Sequence, residues 1–194
     1  MTDDPTPREP PTESRPARKT IEWSVITKRL AWLLLGLLLI GLLVPGGAQI
    51  PVQGATSADW NPDSFWYEPW GTSGVHKGVD IFAQQGTPVV AASSGWIMNV
   101  ADTPKAGKTV LVLGPKWRFY DYAHLHAIHV TKGSWLSKGD VLGEVGNTGN
   151  AAGKAPHLHF AVFSMVPRPW AITSDKQGWK RMFFVDPTSL FPKP

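Results

Sequence analysis

Two short stretches hold residue types able to do chemistry at a useful spacing: His76-Lys77-Gly78-Val79-Asp80 and Pro156-His157-Leu158-His159-Phe160. His76 and Asp80 are four apart, and His157 and His159 are two apart. Val, Ile, Leu and Phe flank both stretches, which reads as strand. On a strand, residues two or four apart share a face. Two such strands side by side would bring imidazoles and a carboxylate to one point. Imidazole nitrogen and carboxylate oxygen without thiolate suit zinc, and other first-row metals also bind such ligands.

Either pair alone reads as scaffolding. The weight lies in the conjunction, because the chain has only six histidines and four of them fall in three glycine-framed, strand-like segments. Gly78 points the same way. A strand interior tolerates glycine where something approaches closely, and a metal with its water would be such an object.

More motifs follow in order: Gly86-Thr87-Pro88-Val89, Ala91-Ala92-Ser93-Ser94-Gly95, Tyr122-Ala123-His124-Leu125 and Gly146-Asn147-Thr148-Gly149. Together with the two histidine stretches they closely resemble the lysostaphin-type (LytM-like) zinc endopeptidases of bacteria, over roughly residues 64–190. The resemblance implies one zinc ion held by His76, Asp80 and His159, with His124 and His157 as the two further active-site histidines. One departure is Ala161, where many relatives carry an acidic residue after the final Phe; it is not expected to abolish the metal site. His126 and His129 match no motif and read as surface or loop residues.

Three protein ligands leave a fourth zinc position for water, the pattern of a catalytic site. Such an ion brings the pKa of its water to about 7 and polarises a carbonyl. His157, two residues from His159, is assigned as general base and later proton donor. His124 is assigned to the oxyanion, and the two roles are exchangeable. Tyr122, two residues from His124, is a further candidate at the oxyanion.

The elements that must position these residues are short. Apolar runs at 89–92, 96–100, 109–113, 118–124, 141–145 and 157–163 alternate with Gly, Pro and Asn turn signals. This spacing predicts a mainly β, antiparallel domain with no long amphipathic helix, and the family resemblance implies the same compact fold with a groove over the metal. Residues 166–182 read as a loop that walls the groove and sets substrate preference. Trp60, Trp66 and Trp70 read as packing at the domain's edge, with a groove lining as the alternative.

The N-terminal third is different. Residues 1–20 are rich in Pro, Thr, Arg and Glu and are expected to be disordered. Residues 30–44 form an unbroken apolar run of 15, and 45–48 extend it to 19. A membrane-spanning helix needs about 20 residues. Lys28 and Arg29 precede the run, which keeps that side cytoplasmic and places the domain outside. An uncleaved anchor is the preferred reading, and a signal sequence cut after Ala48 is the alternative. The expected parse is a disordered cytoplasmic tail over 1–27, a transmembrane helix or signal sequence over 28–48, a linker over 49–63 and a peptidase domain over 64–191.

Cysteine is absent, which removes disulfides and thiolate metal sites. A formal charge of +4 is too weak to argue for nucleic acid. With the membrane segment, the resemblance implies a peptidoglycan peptide as substrate. Two alternatives are a non-enzymatic module that activates other wall hydrolases and an envelope peptidase for protein substrates. The first is disfavoured because His76, Asp80, His124, His157 and His159 are all present.

Overall fold

The computed structural model describes residues 25–192. The tail expected to be disordered lies outside these residues up to position 24; residues 25–27 already belong to the first helix. That helix, α1 (Val25–Leu43), has 19 residues and leaves most of its leucines and Trp32 exposed. At 1.5 Å per residue it is about 28 Å long, close to the thickness of a bilayer's hydrocarbon core. Its length and composition fit a membrane span, and a signal sequence fits the same test.

Nine strands make up the domain: β1 (Val79–Phe82), β2 (Pro88–Val90), β3 (Gly95–Thr103), β4 (Gly107–Gly114), β5 (Arg118–Leu125), β6 (Trp135–Leu136), β7 (Val141–Glu144), β8 (His157–Ser164) and β9 (Phe184–Val185). The main sheet has seven strands in the order β1-β8-β5-β4-β3-β6, with β9 paired to β8, while β2 and β7 form a separate pair. All pairings are antiparallel. The expected strands are present, and the strand reading of the first histidine stretch holds from Val79 onward. β6 and β9, two residues each, carry too little pattern to read. Among the described residues the domain contains only short 3₁₀ turns as helix.

Alternation sorts the residues of the central strands. Val79, Ile81, Tyr120, Tyr122, Leu158, Phe160 and Val162 are buried in one core. Phe160 packs against Tyr122 and Phe191 at ring distances of 5.1 and 6.1 Å. Burying a side chain of this kind contributes about 2–3 kcal/mol. Asp80, Asp121 and His159, the alternate residues, therefore fall on the opposite face. The register sets Asp80 opposite His159, and His159 opposite Ala123.

The segment expected as a linker is in part a piece of the domain. Val52, within it, is buried in the core and bridges to Val89, and Ala48, which the expected parse gave to the end of the membrane segment, is buried in the same core. The Ala48 N–H donates to the Leu190 carbonyl at 3.0 Å and the Gln49 N–H to the Ala92 carbonyl at 2.9 Å. Apolar side chains at 48 and 52 explain why this stretch packs rather than hangs free.

Candidate metal centre and its groove

His76 does not lie on a strand. β1 begins at Val79, so the shared-face argument holds for Asp80 and fails for His76. His76 reaches the site from the preceding loop, where its backbone N–H donates to Tyr67 O at 3.0 Å and its carbonyl accepts from Trp66 N–H at 2.7 Å. Its Nδ1–H donates to the Ser64 carbonyl at 2.9 Å, and the Trp70 ring stacks on it at 4.0 Å. The bond to Ser64 fixes the tautomer and leaves a lone pair on Nε2.

That lone pair faces two other ligand atoms. His76 Nε2 is 3.2 Å from Asp80 Oδ1 and 3.1 Å from His159 Nδ1, and His159 Nδ1 is 2.8 Å from Asp80 Oδ1. Tetrahedral zinc bonds of about 2.1 Å set neighbouring ligands about 3.4 Å apart. The donor set and spacing fit that ion, and the three residues form a group able to hold a metal. Burial alone would raise the Asp80 carboxyl. The two imidazoles at hydrogen-bonding distance, His159 first and then His76, outweigh it and hold Asp80 well below the usual carboxylate range. The carboxylate is thus ionised.

Gly78 is needed for a different approach from the one expected. A Cβ there would stand 2.5 Å from the Phe160 carbonyl oxygen and 3.0 Å from Cε1 of His159. The close neighbour is the β8 backbone and the ligand's ring, not the ion or its water.

His124 and His157 sit beside the cluster, their rings 5.1 Å apart, with His124 5.9 Å from His159. His157 Nδ1–H donates to Ala155 O at 2.8 Å, and His124 Nδ1–H to Thr148 O at 2.9 Å. Each ring therefore keeps Nε2 as its free nitrogen. Burial pushes His124 down to about 4, reinforced by His159 and His157 and opposed by the Thr148 bond and Asp80. The Asn147-Thr148-Gly149 turn is what seats His124. Thr148 Oγ1 also accepts from Lys108 N–H at 3.0 Å and donates to Leu125 O at 2.9 Å. Gly149 allows this fit, because a Cβ there would come within 2.3 Å of the Gly107 nitrogen.

His124 has φ of +64°, the left-handed region. This residue breaks the alternation of β5, so His124 joins Ala123 at the groove while Tyr122 and Leu125 point into the core. Tyr122 is therefore not an oxyanion residue. Its hydroxyl is buried and accepts from Ala92 N–H at 2.9 Å. Tyr122→Phe is expected to cost about 1–3 kcal/mol in denaturant unfolding, by orphaning that N–H, and to leave the cleavage rate unchanged. A large rate loss would return the hydroxyl to the site.

The groove has a volume of about 650 Å³ and is lined by Asp80, Asp121, His124, His157 and His159, together with Trp70 and Lys154. Residues 166–182 do not line it, which corrects the expected wall. They brace it instead: Gln177 Nε2 donates to Ser73 O at 2.9 Å, and the Lys176 carbonyl accepts from Trp66 Nε1 at 3.1 Å. Of the three tryptophans, Trp60 packs on Phe191 and Trp66 is buried against Phe184, whereas Trp70 faces the groove. His126 and His129 are exposed, and His129 pairs with Glu144 at 3.1 Å. Asp121 went unnoticed in the sequence; its only signal is its position two residues before Ala123 on the groove face.

Comparison with known proteins agrees with this geometry. The pattern of peptidase family M23 matches residues 74–168. The catalytic domain of lysostaphin from Staphylococcus simulans superposes with a TM-score of 0.50 at 30% identity, covering 62% of this chain and 83% of that one. The chain belongs to peptidase family M23. Another solved structure, a zinc-containing peptidase from Vibrio cholerae, gives a TM-score of 0.50 at 28% identity over 61% of this chain and 36% of that one. In sequence, the chain is 36% identical over 85 residues to the peptidoglycan DD-endopeptidase ShyA of Vibrio cholerae, covering 44% of this chain and 19% of ShyA. It is 37% identical over 93 residues to lysostaphin of Staphylococcus simulans, covering 45% of this chain and 18% of lysostaphin. The matched region thus spans about a fifth of these M23 relatives' length.

Proposed function

We propose that this M23 protein is a zinc metalloendopeptidase that cuts peptide bonds in bacterial peptidoglycan, with residues 64–191 as the peptidase domain. The domain works outside the cytoplasm, held at the membrane by α1. The observation that carries the reading is the meeting of His76 Nε2, Asp80 Oδ1 and His159 Nδ1 at 2.8–3.2 Å beside two groove histidines. These three residues hold the ion. When bound, zinc makes water acidic enough to attack at neutral pH and polarises the scissile carbonyl.

The remaining work belongs to side chains. His157 takes a proton at Nε2 from the attacking water and returns it to the leaving nitrogen. Its Nδ1–H, tied to Ala155, keeps that lone pair turned away from the backbone. His124 is neutral at physiological pH and presents an acceptor at Nε2. It becomes a donor to the substrate oxygen only by taking the proton of the attacking water in place of His157, so the two roles are exchangeable. Trp70 holds His76 by stacking and gives the groove an apolar side for the peptide.

The test is digestion of purified sacculi by the full chain in detergent micelles, with fragments identified by mass. Soluble peptide fragments should appear, vanish when the ion is stripped by a chelator, and return on adding zinc. Binding to sacculi with no fragment released would instead favour the module that activates other hydrolases.

A further inference from the structure

The sheet face that carries the groove also carries a row of apolar side chains. Ile97, Val112, Tyr120, Val162 and Val185 point into the core. Their strand neighbours Trp96, Leu113, Phe119, Phe163 and Phe184 therefore point the other way, to the face of Asp80 and His159. The register joins them into one row that starts at Trp135 on β6 and crosses β3, β4, β5 and β8 to β9. At the β9 end the row is covered, with Trp66 on Phe184 and Phe119 stacked on Phe163. At the β6 end it is open. Trp96 and Trp135 are 53% and 54% exposed, and among the described residues the only ring contact of either is the other, at 5.2 Å and 76°.

A cross-strand pair of this kind helps to hold the two-residue β6, but packing alone does not require both rings to face water. Exposed apolar surface gathered in one place marks a contact site. Its chemistry suits a sugar. The C–H face of a sugar ring lies flat on one indole, and the second indole, nearly perpendicular, closes the corner. A polar partner for the hydroxyls stands next to it: Asn99 is exposed in the row of Leu111 and Asp121, and among the described residues its amide has no hydrogen-bond partner.

Reach decides where that sugar comes from. His159 pairs with Ala123, four residues along β5 from Phe119, and β3 is three strands from β8. At about 3.3 Å per residue and about 4.8 Å per strand, the metal centre and Trp96 are about 20 Å apart across the sheet. An extended chain covers about 3.3–3.6 Å per residue, so about six residues span that gap. In peptidoglycan each short peptide hangs from a sugar of the glycan strand. We infer that Trp96 and Trp135 form a subsite for a sugar ring of the strand whose peptide is cut, with Asn99 meeting its hydroxyls. This rests on peptidoglycan as the substrate.

The test uses the full chain in detergent micelles. One arm compares two wall peptides of identical sequence, one still joined to its sugar and one without it. The other arm follows the binding of peptide-free glycan by calorimetry and needs no cleavage. Wild type is expected to bind the free glycan and to show the lower KM for the sugar-bearing peptide. Trp96→Ala and Trp135→Ala should lose glycan binding and raise that KM about 5- to 30-fold, while kcat and the KM for the bare peptide stay unchanged, which a merely structural role would not allow. Trp96→Tyr keeps a flat ring and should fall between, so the subsite remains testable if truncation unsettles β6. Equal KM for the two peptides in wild type, or a loss in the variants that falls on both alike, overturns the subsite. So does unchanged glycan binding in the variants together with lost binding to phospholipid vesicles, which would make the corner a membrane contact. If wild type cuts neither peptide yet binds free glycan through these tryptophans, the subsite stands and the peptidase reading fails.

Discussion

His159→Ala should remove zinc and activity together. The purified variant is expected to carry far less than one ion per chain by elemental analysis, and kcat/KM should fall by about a thousandfold, since a bound metal contributes several kcal/mol to the transition state. The reason is geometric. His159 Nδ1 is the atom closest to Asp80 Oδ1, at 2.8 Å, and it also closes the triangle with His76 Nε2. Without it two ligands remain, one from a loop and one from a strand, and the carboxylate loses the nearer of its two imidazole neighbours. The side chain is partly exposed, so truncation should leave the core intact. Full zinc occupancy with normal turnover in this variant would refute the assignment.

Variants of the two groove histidines should behave in the opposite way towards the ion. His157→Ala and His124→Asn are expected to keep one zinc per chain and to lose turnover by about 10²- to 10⁴-fold, the usual worth of a positioned proton carrier. Asparagine is the better replacement at 124, because the backbone there is left-handed and asparagine tolerates that region. Zinc content and steady-state kinetics on a wall-derived peptide separate the two classes. Either variant turning over at the wild-type rate would remove that residue from the mechanism. Loss of zinc in His157→Ala would mean that it, and not one of the other three, belongs to the ligand set.

The main strands and the pairing of Asp80 with the His-x-His stretch were legible because their cause is local. Alternation at 79–82 and 157–164 sorts apolar residues to the core and Asp80 and His159 to the groove. His76 was read correctly as a neighbour of Asp80 for a wrong reason. Its place depends on contacts with Ser64, Trp66 and Tyr67, far enough along the chain that no short-range period reports them. Tyr122 was misplaced because alternation was extended through His124, whose left-handed backbone reverses it. Histidine carries no signal for that conformation, as glycine would. Asp121 was invisible for a related reason: its place on the groove face follows from the pairing of β5 with β8, a register that becomes apparent only once the strands are paired. The bracing role of 166–182 likewise depends on contacts with residues about 100 positions earlier.

One ligand comes from a loop and the other two from paired strands. Any cation gripped by all three is then a removable cross-link between irregular chain and rigid sheet. Withdrawing it should leave global unfolding nearly as cooperative as before, because the β core does not depend on it, while amides around residues 64–76 lose protection from hydrogen exchange. Metal scarcity would then open that stretch to proteolytic nicking well before the domain melts.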